Sequence, residues 1–398
     1  MLEADAEVDR RDFAVRARLT VAPGERLALF GPSGAGKTTV LEMIAGLVPP
    51  RRGRIALDGR VLTSTSKPAV AVPAWQRRVG LLRQDPGLFP HLSVRQNLLY
   101  ARPDPAAGRR GGRRAAIAPP AGPPAAVQGS AGAALAELAG ALGIDGLLSA
   151  MPAGLSGGQA HRVALGRLLL SPCDAMLLDE PYTGLDISLR RTLTDLVVSL
   201  LAARHIPAIL VAHELAEAQA FAHRLAVLDR GEILQTGAPG DVVRRPSVRR
   251  VAELVGYTAF VPLPATLRGQ GLARAAGAPP GAVPPPGAVP APFAVSAPFA
   301  VSAASRSGSA VAAIHPDRVI GGRHPGRGLV LTGVVTSCLP AGAQWEIAMH
   351  TCGVTVTGRL PEARPAGHEL VVTAADPPYF WPDGTAVATP GTGQEGVR

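Results

Sequence analysis

The amino-acid sequence predicts an α/β protein: a mixed-sheet core with helices on its faces and a helical subdomain, followed by a small all-β, barrel-like domain. Three observations carry this expectation. Short apolar runs alternate with helical patterns through about residue 245, which is how a sheet of largely parallel strands covered by helices reads. One run, Arg26–Phe30, leads straight into the glycine-rich stretch Gly31–Thr39, and a helical pattern follows at Val40–Leu47. Beyond residue 311 the helical patterns give way to five strand-like runs, the pattern of a compact β module.

Gly31-Pro32-Ser33-Gly34-Ala35-Gly36-Lys37-Thr38-Thr39 fits G-x-x-x-x-G-K-[ST], the phosphate-binding loop of nucleotide hydrolases. Strand, glycine loop and helix N-terminus in that order make an anion site. The glycines let backbone N–H groups curl round phosphates, and the helix dipole favours negative charge there. Lys37 is expected to reach the β- and γ-phosphates and the Thr38 hydroxyl to take a position on Mg²⁺.

The chain has 398 residues and a formal net charge of +10, long enough for two or three domains. A basic balance suits nucleic acid or an anionic membrane surface. Here, however, much of the arginine, such as Arg109-Arg110 and Arg113-Arg114, is scattered through Ala/Gly/Pro-rich sequence. No aromatic residues are interleaved for base stacking, so no nucleic acid partner is expected. Cys173, Cys338 and Cys352 have no metal-ligand spacing and read as free thiols of a reducing compartment, the last two buried. The N-terminus lacks an apolar secretory core. The most apolar region, Leu193 to Val211, is interrupted by Asp195, Arg204, His205 and Pro207. No membrane span is therefore predicted, and the chain is expected to be soluble and cytoplasmic.

In chain order, residues 1–30 read as short strands, with alternation over Phe13–Val21 before the turn Pro23-Gly24, and Arg54–Leu62 reads as a hairpin on Asp58-Gly59. Val79–Asp85 is an apolar strand ending in polar residues. Pro103 to Gly132 holds almost no large apolar residue and reads as a flexible insertion. A helical pattern resumes at Ala133. Leu155-Ser156-Gly157-Gly158-Gln159 opens a helix over Ala160–Leu170, stopped by Ser171-Pro172. Then come strand Ala175–Pro181, helix 188–204, strand Ala208–Ala212 ending at His213, helix Glu214–Ala222, and a strand pair around Arg230-Gly231. Residues 279–302 are four six-residue units, two alike and then two alike, read as an extended tether. The five later strands are 311–320, 329–337, 344–349, 354–360 and 369–374. The expected domains are thus 1–245, a connector and linker over 246–310, a β domain over 311–385 and a disordered tail, 386–398.

The chemistry sits where ligands of such sheets bind, at the carboxyl ends of strands, where Gly31, Gln84, Asp179 and His213 all fall. Asp179 ends an apolar strand, a costly place for a carboxylate unless it meets a cation, and a water-mediated contact to Mg²⁺ is its natural use. Glu180 beside it would polarise the attacking water as general base. Gln84 would orient water or touch Mg²⁺ through its amide, and His213 would donate to a γ-phosphate oxygen.

With Leu155–Gln159 in this order, residues 10–245 resemble the ATP-binding subunits of ABC transporters. The resemblance implies that Ser156, Gly157, Gly158 and Gln159 bind the γ-phosphate of ATP held by a second copy. The unit is then a head-to-tail dimer with two ATPs at its interface, across which Asp186, in Thr183-Gly184-Leu185-Asp186, communicates. A separate integral membrane permease at the cytoplasmic face, and indirectly an extracytoplasmic binding protein, complete the implied machine. Gly59–Thr63, Arg77–Gly80 and Gln84-Asp85-Pro86-Gly87-Leu88-Phe89-Pro90-His91-Leu92-Ser93-Val94 are most similar to molybdate importers. Sulfate, polyamine and iron importers share most of that pattern. Ile314–Val319 resembles the start of the small TOBE-type β domain of such importers. Three positions depart from the family pattern. Phe13 lies close to Gly31, which leaves Arg10 or Arg11 to meet adenine. His161 stands where glutamine is usual. His324–Leu329 lacks the pattern of oxyanion-binding domains. A soluble, non-transport ABC ATPase is the alternative reading.

Overall fold

The computed structural model describes residues 1–100, 131–262, 293–296, 311–322, 328–351, 353–375 and 377–380. The expected insertion, its last two residues apart, lies outside these, as do Cys352, the tail and all of the 279–302 repeat except 293–296. The chain divides into two compact units, Met1–Gly240 and Asp241–Arg398.

The first unit opens with β1 (Leu2–Asp9), β2 (Ala14–Val21) and β3 (Arg26–Phe30), followed by α1 (Lys37–Ala45). β4 (Arg52–Leu57) and β5 (Arg60–Ser64) form the predicted hairpin. Its turn residues Asp58 and Gly59 have φ of 49° and 78°, the left-handed pair that a two-residue turn requires. Next come β6 (Val70–Ala71), β7 (Val79–Leu82), α2 (Val94–Leu99), α3 (Ala131–Ala141) and α4 (Gly157–Leu170). The series closes with β8 (Ala175–Asp179), α5 (Ile187–Arg204), β9 (Ala208–Ala212), α6 (Leu215–Phe221), β10 (Arg224–Asp229) and β11 (Glu232–Gly237). α4 starts at Gly157, earlier than the predicted Ala160. Ser156 caps it: its Oγ accepts from Gln159 N at 3.3 Å while Gln159 Oε1 accepts from Ser156 N at 2.8 Å. This reciprocal box offsets the low helix propensity of two leading glycines.

Two sheets result. One is antiparallel, in the order β2-β1-β4-β5-β6; β2 alternates buried and exposed residues along most of its length because only one face is covered. The other runs β11-β10-β3-β9-β8-β7, parallel throughout except for β11. β8 and β9 are buried at every residue, so, Asp179 at the end of β8 apart, their sequences are unbroken apolar runs rather than alternating ones. α1 lies in a core shared with both sheets, where Val40, Leu41, Met43 and Ile44 join Leu2, Val15 and Ile55 from one and Leu177, Ile209 and Val211 from the other.

The C-terminal end of α1 is held by a residue that no periodicity flags. Arg77 is 5% exposed. Its Nη1 donates to Met43 O at 3.2 Å and Ile44 O at 3.0 Å, its Nη2 to Thr63 Oγ1 at 2.8 Å and its Nε to Val72 O at 2.8 Å. One guanidinium thus satisfies orphan helix carbonyls and ties α1 to the antiparallel sheet.

In the second unit, helix α7 (Pro239–Arg244) spans the division and is followed by α8 (Arg249–Leu254), β12 (Ala259–Pro262), β13 (Phe293–Ser296) and β14 (Val311–Ile314). Then come β15 (Val319–Gly321), β16 (Gly328–Ala341), β17 (Gln344–Thr351), β18 (Val354–Leu360), β19 (Glu369–Ala375) and β20 (Tyr379–Phe380). A sheet β12-β14-β20 accompanies a sheet β15-β19-β16-β17-β18, with β13 paired to β16. The larger sheet curls until Val319 of β15 lies so close to Gly358 of β18 that a Cβ there would come within 2.7 Å. This is the barrel-like closure that the strand pattern predicts.

Three expectations change. The strand expected over 311–320 is two strands, because Pro316 opens a 3-10 turn capped by His315, whose Nδ1 accepts from Asp317 N at 3.2 Å. The connector expected over 246–310 is partly structure: β12 pairs with β14, and its Ala259 and Val261 enter the β core. Phe293–Ser296, expected within a tether, pairs with Gly328–Leu331. Of the cysteines, Cys173 is free, as expected, and is buried, whereas Cys338, expected to be buried, is free but only half-buried.

Replacing Arg77 by leucine takes the donor from Ile44 O, Thr63 Oγ1 and Val72 O, while Met43 O keeps its bond from Gly46 N. The cost expected is about 2–4 kcal/mol, read as a lower urea midpoint with an unchanged slope.

Candidate nucleotide-binding and hydrolytic site

The parallel sheet assembles the site by strand order alone. β3, β9, β8 and β7 are neighbours, and their carboxyl ends deliver Gly31, His213, Asp179-Glu180 and Gln84 along one edge, at strand spacings of about 5 Å.

The loop after β3 keeps its glycines for contact reasons. A Cβ on Gly31 would fall 2.0 Å from Leu228 O, and one on Gly36, which has φ 105°, would fall 2.8 Å from Val15 Cγ2. Both contacts come from residues far from the loop in sequence, so the curl is fixed by the fold. Lys37 begins α1, is 5% exposed, and donates through Nζ to Gly31 O at 2.8 Å and Pro32 O at 2.9 Å. Burial pulls its pKa down, while the carboxylates of Glu180 and Asp179 pull it up. At the β1–β2 turn, Arg10 Nε donates to Thr39 Oγ1 at 3.1 Å and Nη2 to Glu42 Oε2 at 3.4 Å. Phe13 packs against Gly231, so Arg10, rather than Phe13, stands over the loop helix.

Asp179 is 2% exposed, and its Oδ1 has no hydrogen-bond partner among the described residues. Burial raises its pKa, opposed by a hydrogen bond from the Thr38 hydroxyl. Glu180 sits in the left-handed region at φ 53°, a conformation that costs a side-chain-bearing residue about 1 kcal/mol or more and clusters at functional sites. Its Oε1 is the meeting point of the site. Gln84 Nε2 donates to it and His213 Nε2 pairs with it, while Thr183 Oγ1 donates to Oε2 at 3.5 Å. Glu180 is largely buried and His213 more open, with side-chain exposures of 13% and 41%. The sheet edge thus brings together Lys37, Thr38, Gln84, Asp179, Glu180 and His213. Thr183 is an addition with no distinctive sequence signal.

Ser156–Gln159 are not brought in. Ser156 and Gly157 are exposed, Gly158 and Gln159 half-buried. Among the described residues no hydrogen bond or ion pair links them to Gly31–Thr39. A Cβ on Gly157 or Gly158 would meet nothing within 4 Å, so the chain's own packing does not require glycine there. Asp186 is also exposed and caps α5, accepting from Leu189 N at 2.9 Å.

The fold and this edge define a nucleotide-phosphate-binding α/β cassette. A sequence profile described as "ABC transporter" matches residues 15–183. The chain is 40% identical over 245 residues to the Fe(3+) ions import ATP-binding protein FbpC of Mesorhizobium japonicum, covering 61% of each chain. It is 39% identical over 235 residues to the molybdenum import ATP-binding protein ModC of the same organism, covering 59% of this chain and 57% of that one. It is 37% identical over 262 residues to the iron import protein of Yersinia pestis, covering 66% of this chain and 67% of the relative. The chain belongs to the ABC transporter family. It spans about three fifths of the length of the first two relatives named. Among the described residues no helix is long and apolar enough to cross a membrane.

One titrating group supports the His213 segment. Burial raises the pKa of Glu217 from 4.5 to about 7; the charge on Arg190 opposes this and that on Glu214 adds to it. Because the folded pKa lies above the unfolded one, the folded state holds this proton longer. The contribution to stability is therefore full below pH 4.5 and lost as pH rises through 7. Glu217→Gln should be more stable than the parent by roughly 1–3 kcal/mol at pH 8, the gap closing near pH 4, as read by urea denaturation at the two pH values.

Proposed function

We propose that this chain is the ATP-hydrolysing, energy-coupling subunit of an importer, working as a head-to-tail pair at the cytoplasmic face of a membrane permease. The observation that carries the reading is the split between a complete phosphate cradle at Gly31–Thr39 and a second helix N-terminus, at Ser156, turned outward with glycines that its own fold does not need. One ATP has no use for two cradles on one chain. Two copies placed head to tail give each ATP the loop of one and Ser156–Gln159 of the other, with Asp186 at the seam.

Within a site, loop N–H groups and Lys37 hold the β- and γ-phosphates, and Arg10 covers the nucleoside side near Thr39. Glu180 accepts a proton from the attacking water. Gln84 and His213, already on its Oε1, orient that water, and we read His213 as the donor to the γ-phosphate once nucleotide is bound. The residues present fit Mg²⁺: Asp179 offers a buried oxygen with no partner among the described residues, beside the Thr38 hydroxyl, hard donors of the type that ion takes. No cluster of three or more His, Cys, Asp or Glu among the described residues could hold an ion unaided, which suits an ion bound mainly by phosphate and water with Thr38, Asp179 and Gln84 at its rim. Bound there, Mg²⁺ would neutralise charge developing on the phosphate oxygens.

A groove of about 400 Å³ beside Gln84, walled by Arg83, Asp85, Phe89, Tyr100 and Arg167, supports docking of a permease. Arg167 stacks 5.4 Å from the Phe89 ring centre, and Tyr100 is 62% exposed. Arg83 and Asp85 flank Gln84 in the chain, so an occupant of the groove would bear on the residue that orients water. For the cargo we read molybdate or a related oxyanion, presented by an extracytoplasmic binding protein. The similarity to iron import proteins favours iron as the second reading. The curled β domain is read as TOBE-type and regulatory. ATPase stimulation in vesicles holding the permease and binding protein decides the cargo: molybdate, and not iron(III), should stimulate.

Glu180→Gln should bind ATP normally, lose turnover by about 100-fold or more and run as a dimer on gel filtration with ATP. A monomer with full activity would overturn the general-base role. Ser156→Arg should abolish hydrolysis while the isolated chain binds nucleotide within about threefold of the parent, since each 1.4 kcal/mol is a factor of ten. Collapse of binding itself would overturn action in trans.

A further inference from the structure

We propose that the edge of β16 at Gly328–Leu331 is a strand-docking slot with two interchangeable occupants from its own chain, Phe293–Ser296 and Phe299–Ser302. The inference is independent of the nucleotide site and of any pairing between copies.

The slot follows from strand register. β19 pairs with Gly328–Val334 and β17 with Val334–Ala341. Val334 meets both, so they lie on opposite edges of β16. β13 pairs with Gly328–Leu331, whose other edge β19 already holds, so β13 continues the line of β17. The stretch left to it is short, because β17 ends at Thr351, whose Oγ1 donates to Thr332 O at 2.8 Å. Leu329, Val330 and Leu331 are at most 4% exposed. Backbone groups that far from water need a strand partner, and four residues supply it.

The chain carries that strand twice. Ala291–Ser296 and Ala297–Ser302 are the same six residues, Ala-Pro-Phe-Ala-Val-Ser; the second copy lies outside the described residues. A main-chain ladder cannot tell identical segments apart, and a shift of six, being even, keeps each side chain on its face. Proline makes the choice discrete. Shifts of two to five residues would place Pro298 in the slot, and a shift of one would turn every side chain over. The earlier units, over Pro279–Pro290, hold no four consecutive residues free of proline. Two segments of the repeat fit, and the others do not.

Chain length permits both placements. With Phe293–Ser296 docked, 30 residues (263–292) lead to it from β12 and 14 (297–310) follow before β14. With Phe299–Ser302 docked, the stretches are 36 (263–298) and eight (303–310). Eight residues reach about 26 Å, more than the roughly 19 Å across a five-stranded sheet. Loop-closure entropy varies so slowly with length that it separates the two placements by only about twofold. The β unit thus holds two states of similar population. They share one ladder and divide six residues differently between the stretches either side of the slot.

The test uses the full chain with its three cysteines replaced by serine. Ala294 stands opposite Val330, so Ala294→Cys with Val330→Cys should close a disulfide within one chain on mild oxidation. Ala300→Cys with Val330→Cys should close it at an initial rate within about threefold of that. Ala297→Cys with Val330→Cys, which would need Pro298 in the slot, should be at least about tenfold slower. Hydrogen exchange gives a second reading, with the native cysteines in place. Neighbouring N–H groups point to opposite edges, so Ala294→Pro with Val295→Pro removes one that faces β16. Protection of the Leu329–Leu331 amides should then fall by less than about threefold, and by about tenfold or more once Ala300→Pro and Val301→Pro are added. Closure through Ala300→Cys no faster than through Ala297→Cys would overturn the exchange, as would full loss of protection from the first proline pair alone. A disulfide from Ala300→Cys between two chains, seen as a dimer on a non-reducing gel, would overturn it in favour of docking on a neighbour. Should the cysteine-free chain fail to fold, the exchange measurement decides alone.

Discussion

The constraint on which the rest depends is a carboxylate at the end of a buried strand. Asp179 closes β8, one strand in from the β7 edge of the parallel sheet, nearly inaccessible, with one oxygen lacking a partner among the described residues and its pKa raised by burial. A fold does not keep such a group for stability, since an apolar residue would serve β8 better. The use proposed above is a cation, and that requires phosphates, a loop to hold them and a hydroxyl opposite. Gly31–Thr38 supplies the loop and the hydroxyl because β3 lies one strand away from β8 across β9. The position of Glu180 follows from the same geometry: leaving the strand through a left-handed residue turns its side chain back over the edge, into reach of Gln84 and His213.

Much of this is legible in the sequence where one local pattern has one physical use. The loop reads clearly because each of its residues answers a separate demand of phosphate binding. Asp179-Glu180 reads clearly because two carboxylates closing an apolar run are too costly there to serve packing alone. The apolar runs Ala175–Leu178 and Ala208–Ala212 read as buried parallel strands because alternation would require one face to meet water. What stays hidden depends on contacts between distant residues. Arg77 resembles any exposed arginine until α1 places its last carbonyls above it. Gly31 is justified locally as a loop glycine, but its strictest requirement is Leu228 O. The start of α4 reads late because glycines argue against helix, and the reciprocal Ser156–Gln159 cap that overrides them shows only in three dimensions.

The C-terminal unit shows the same limit. Alternation marks its later strands, yet the role of Ala259–Pro262 is set by pairing with Val311–Ile314 across a long separation in sequence. The long β16 shares its first half with β19 and its second with β17, with an irregularity between Val335 and Ser337. A strand that changes partners along its length bends, and the bend is what curls the sheet.

Helix α4 joins these threads. A Cβ on Gly157 or Gly158 would meet nothing within 4 Å, whereas His161, one turn further on, is buried. Helix α4 thus has a buried length that packs the fold and an exposed start that the packing of its own chain does not explain. In the reading proposed above, hydrolysis then depends on closure of a pair rather than on the residues of one chain alone.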